Sequence, residues 1–222
     1  MLADAGLYLS AAGLAHAGAG AAVASSVSRP SGDPDDVIMN LRNTAERYGA
    51  LAIALHWLML ALLIGVYAAI DLTDLYPKGS AAREALKAWH FTLGLSVFVL
   101  VALRLVVRWS GPVPEPAASM PRWQQRTANL IHLALYVLMI GMPLLGWLVL
   151  SAAGEPIRFF GIELPALMAA NKALAEPLHE IHETVGTIGY FLIGVHALGA
   201  LLHHYVMRDD TLVRMLPRRP GA

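Results

Sequence analysis

Four runs of about twenty mostly apolar residues constrain this chain more than any other feature. They lie at about 51–70, 90–109, 130–150 and 184–207. A segment of that length crosses hydrocarbon only as a helix, because every backbone N–H and C=O must find its partner inside the segment once water is excluded. Composition agrees: 57% of the residues are hydrophobic and 14% are charged, against about 25% charged in soluble domains. The expected fold is an all-α membrane protein, a four-transmembrane-helix bundle. Pro143, within the third run, predicts a kink and not a break, since neighbouring helices re-satisfy a freed carbonyl.

Lys and Arg set the orientation. Of 16 such residues, Lys78, Arg83, Lys87, Arg158 and Lys172 fall on one side of the spans and 11 on the other, so both termini are expected in the cytoplasm. The acidic residues then leave the inner side at +3 and the outer side at −3, although Lys78, Arg83 and Lys87 form a local basic group just ahead of His90. The overall balance of zero gives no basic face for a nucleic-acid partner. Absence of cysteine removes disulfides, thiolate catalysis and Cys-ligated metal centres. Residues 1–38 are rich in Ala, Gly and Ser, carry no Lys or Arg before Arg29, and are expected to form a disordered low-complexity extension, with Met39 as an alternative start. Residues 39–222 form the membrane domain.

Nine histidines remain, and their placement is the functional signal. An unpaired imidazole in hydrocarbon is costly, so intramembrane histidines are functional candidates by default. His56 lies in the first run, His90 opens the second, His182 leads into the fourth and His196 sits near its middle. Fourteen residues separate His182 from His196, a rise of about 21 Å, and bring the second side chain to within about 40° of the first. With helices alternating in direction, depth pairs His90 with His182 on the outer side and His56 with His196 on the inner. Each pair suits axial ligation of one haem iron, and a six-coordinate iron with two histidines favours electron transfer over oxygen chemistry. His179 and His203 are rival ligands on the same helix faces, and His132 is suited to a hydrogen bond with a carbonyl, a propionate or a quinone. Gly94, Gly186 and Ala200, each four residues after a histidine, leave a recess beside it. Arg104, one turn before Arg108 and about four residues inside the boundary, is placed to pair with a haem propionate.

The segments RYGALAIALHWLML, WHFTLGLSVFVLVALRLVVR, NLIHLALYVLMIGMPLLGW and HEIHETVGTIGYFLIGVHALGALLHHYVMRDDTLVRMLPR together resemble the bacterial cytochrome b561 family of small di-haem inner-membrane proteins, over residues 43–219. The resemblance implies His56, His90, His182 and His196 as iron ligands, in preference to His179 and His203. It also implies two b-type haems and electron exchange with membrane ubiquinone; at least one member oxidises superoxide on the outer side and passes the electron to ubiquinone. Two other readings are a haem-carrying membrane anchor of a multi-subunit dehydrogenase or hydrogenase, and a haem-free scaffold or transporter. Neither internal repeats nor helices broken at the midplane, which mark many transporters, occur in the sequence.

Overall fold

A computed structural model describes residues 41–44, 47–112, 114 and 120–217. The expectation for residues 1–38 lies outside these. Four helices carry the fold: α1 (Ala50–Asp71), α2 (Ala81–Trp109), α3 (Arg122–Ala153) and α4 (Lys172–Leu202). All four are long and apolar enough to cross a membrane. A 3-10 turn, Leu72–Leu75, extends α1, and a π turn, His203–Met207, extends α4.

Three helices start earlier than the apolar runs predict. α2, α3 and α4 begin at Ala81, Arg122 and Lys172, so His90 and His182 stand well inside helices and not at their entrances. The reason is physical: an apolar window measures what crosses the bilayer, whereas the backbone stays helical through polar turns beyond it. Ser80 caps α2 by accepting from the Arg83 N–H, and Asn171 caps α4 by accepting from the Ala173 N–H. α3 runs unbroken through Pro143 and ends on Gly154, whose φ of +76° suits the left-handed cap.

Between α3 and α4 the chain makes a small antiparallel hairpin, β1 (Ile157–Phe159) and β2 (Ile162–Leu164). Its tip, Phe160 and Gly161, has positive φ at both residues, the geometry that two-residue hairpin turns require.

α1 packs on α2, α2 on α3 and α3 on α4. Leu55 and Met59 of α1, Val97, Leu100 and Val101 of α2, and Leu135 and Met139 of α3 form the core cluster. α4 contributes only Gly189 to the buried set, although Leu192 and Ile193 touch the cluster's edge. The helix with two of the intramembrane histidines thus has the fewest buried residues of the four. After α4 the tail returns to α1, where the Trp57 indole N–H donates to the Met215 carbonyl at 2.7 Å.

Candidate functional site

Four histidines on three helices meet in two pairs. His90 of α2 faces His182 of α4 with ring centroids 6.2 Å apart and planes at 81°. His56 of α1 faces His196 of α4, also at 6.2 Å, with planes at 65°. A metal–imidazole bond of about 2 Å, plus about 1.2 Å from nitrogen to ring centre, places two axial imidazoles about 6.4 Å apart. Both pairs therefore have the separation of two rings on opposite sides of one metal. His132 of α3 lies only 5.2 Å from His196, about 1 Å short of that spacing. Among the described residues no group of three or more His, Asp or Glu side chains could hold a metal ion. Two protein ligands per centre suit an iron whose remaining positions are filled by a macrocycle.

The rivals are otherwise engaged. His179 points to Glu183, with Nε2 to Oε1 at 3.4 Å and both side chains exposed. His203 contacts Asp209 at 2.5 Å. His204 stacks edge-on to Tyr205. His16 lies outside the described residues.

Similarity to known proteins decides what such an arrangement belongs to. The family model for prokaryotic cytochrome b561 matches residues 47–218. The chain belongs to the prokaryotic cytochrome b561 family. Cytochrome b561 homolog 1 of Escherichia coli is 38% identical over 177 residues, 78% of this chain and 98% of that protein. A Yersinia pestis protein named Probable superoxide oxidase CybB is 34% identical over 176 residues, 79% and 99% of the two chains. Cytochrome b561 homolog 2 of Escherichia coli is 32% identical over 180 residues, 80% and 95%. The protein is a multi-pass electron-transfer protein of the bacterial inner membrane, and its family implies haem b.

The side chains of this cytochrome fit that group. The His90 Nδ1 donates to the Val66 carbonyl at 3.0 Å, which places the proton on Nδ1 and leaves the Nε2 lone pair free for a metal; such an outer hydrogen bond also fixes the ring and raises its basicity. The His182 Nδ1 is buried without a hydrogen-bond partner. Its ring lies against Gly146 of α3, where an added Cβ would stand 3.1 Å from Cε1. At Gly94 an added Cβ would meet no atom within 4 Å, and at Gly186 it would meet only Met142 Cε at 3.5 Å, in keeping with the recesses expected beside His90 and His182.

Arg104 falls at the inner pair, where its charge acts on His56, His196 and His132. One of its guanidinium nitrogens is buried without a partner. It borders a cavity of about 30 Å³ lined also by Tyr48, Arg108, Tyr136 and Met215. That space has room for a small polar group beside the unpartnered nitrogen, so the residue and its surroundings fit a propionate. The sequence signal for this depth is that Arg104 follows His90 by 14 residues, the interval that separates His182 from His196.

The contacts of Tyr67 and Tyr190 escaped sequence reasoning. Tyr67 of α1 donates to the Gly186 carbonyl at 2.9 Å and stacks on Tyr190 at 4.1 Å, whose hydroxyl donates to Asp71 at 2.6 Å. Gly189 admits the Tyr67 hydroxyl, which occupies the place of its absent Cβ. The basic group before His90 differs from expectation. Arg83 pairs with Asp74 at 3.5 Å and donates to the Thr73 carbonyl at 2.6 Å, while Lys87 pairs with Glu84 at 3.1 Å. Arg83 ties down the α1–α2 loop, Lys87 is paired within α2, and each of these two cations thus has a carboxylate beside it.

Proposed function

We propose that this cytochrome carries two b haems, one held by His90 and His182 and one by His56 and His196, and moves single electrons between an outer donor and membrane ubiquinone. The observation that carries this reading is the recurrence of one ring separation, 6.2 Å, in both pairs, set 14 residues apart on α4. Both termini lie in the cytoplasm in this reading, which the Lys and Arg distribution supports. A bound haem supplies reversible one-electron chemistry at its iron. The protein holds His90 by a hydrogen bond and His182 by close packing against Gly146, would offer Arg104 to a propionate, and with two histidines for each haem would favour electron transfer over oxygen chemistry.

Superoxide as the outer donor is a second reading. Similarity to the Yersinia pestis relative favours it; the pairing of Arg83 and Lys87 with carboxylates weakens electrostatic steering of an anion. Stopped-flow reduction by superoxide, compared with reduction by a quinol, separates the two: superoxide faster by tenfold or more makes it the donor.

The haem reading itself is tested on purified protein in detergent. Dithionite is expected to give a b-type reduced spectrum with two haems per chain, and Ala at His56, His90, His182 or His196 to remove one haem each. A haem-free preparation would leave the scaffold reading. Loss of the outer haem in His179→Ala, with His182→Ala unaffected, would reassign that ligand. Stable co-purification of a flavin or iron–sulfur subunit would favour the membrane-anchor reading.

A further inference from the structure

The charges beside the two pairs have opposite sign. At the outer pair, Asp71 closes α1 five residues after Val66, a rise of about 7.5 Å from the carbonyl that holds His90. The Asp71 carboxylate accepts from the neutral Tyr190 hydroxyl, and no cation lies within ion-pair distance of it among the described residues. The nearby Arg83 is committed to Asp74. Glu183, next to His182, adds a carboxylate at the same end, 3.4 Å from His179. At the inner pair stand Arg104 and Arg108, one turn apart, with an Arg104 nitrogen buried and unpartnered.

A negative charge stabilises the oxidised iron and lowers a centre's potential; a positive charge does the reverse. Building on the two-haem reading above, we propose that Asp71, held in place by Tyr190, keeps the outer haem at the lower potential, so that electrons run from the outer pair to the inner one. In the transfer one electron leaves the outer iron, which is oxidised, and enters the inner iron, which is reduced; no bond or proton changes hands. Asp71 is a positioning residue that acts through the field at His90. Tyr190, stacked on Tyr67 and tied through it to the Gly186 carbonyl, fixes where that charge sits.

The test is a spectroelectrochemical titration of the haem-loaded protein, with the outer signal assigned from the His182→Ala variant, which retains the inner one. Asp71→Asn is expected to shift the electron's equilibrium partition between the two haems about tenfold toward the outer one, about 59 mV for a one-electron couple, with the inner potential unchanged. Asp71→Glu, which keeps the charge, should stay near wild type, and Tyr190→Phe should move the outer potential in the same direction as Asp71→Asn by less. An outer potential above the inner one in the wild type would overturn the proposal, as would an Asp71→Asn protein whose melting temperature falls while its potentials stay put. Fewer than two haems per chain would remove this inference and the two-haem reading together, whereas two haems in the wrong order of potential would remove this inference alone.

Discussion

A Cβ added to Gly146 would lie 3.1 Å from Cε1 of His182, so the absence of a side chain on α3 is what lets this imidazole reach its position opposite His90. Real Cβ contacts are rarely that close, and the ring is braced from one side only, since its Nδ1 has no hydrogen-bond partner. Gly146→Val should therefore displace the ring and drop haem content from two to about one per chain, measured by pyridine haemochromogen assay. Gly141→Ala, at a position with nothing within 4 Å, should keep both.

Arg104 offers a sharper case at the inner end. Removing a buried cation that serves a carboxylate leaves the partner's charge uncompensated, a loss of about 3–5 kcal/mol for a well-buried pair. Arg104→Ala is expected to weaken retention of the inner haem by at least tenfold, read as haem transfer to apomyoglobin over time. Arg104→Lys should recover part of it, because the ammonium restores the charge without the two-pronged geometry. Equal haem loss rates in all three proteins would sink the assignment.

Much of this organisation is legible in sequence because it follows from local rules. Apolar length gives the four spans, and the 14-residue interval on α4 gives the two levels of histidine. The interval from His90 to Arg104 was equally visible and marks the inner depth on α2. What stayed hidden depends on contacts between distant helices. Tyr67 meets Gly186 across 119 residues, and nothing periodic in either helix announces it. Gly146 is one of many glycines in membrane helices, where small residues are common for packing alone. The pairing of Arg83 with Asp74 depends on the fold of one loop, which a count of nearby cations does not show.

The tail contact predicts a stability effect separate from haem binding. Trp57 neighbours His56, and its indole N–H donates to the Met215 carbonyl. Trp57→Phe removes one hydrogen bond while keeping an aromatic ring, at a cost of about 1 kcal/mol. The melting temperature of the detergent-solubilised protein should fall by a few degrees with both haems retained. A drop in inner-haem content instead would mean that the indole positions His56 directly.

The same tail carries a pH dependence whose sign is fixed. Burial opposes the charge on Asp209, but hydrogen bonds from His203 and Thr211 outweigh it and hold the carboxyl below its ordinary value. A carboxyl depressed in the folded state contributes stability that is fully present above its unfolded value, near 3.9, and is lost as pH falls through the lower folded value. Protease resistance of the segment after α4 should thus be level from neutral pH down to about 4 as far as Asp209 is concerned, and decline below that. Asp209→Asn should cut the resistance at pH 7 and flatten the acid decline. A wild-type profile that gained resistance on acidification from pH 4 to pH 2 would contradict the assignment.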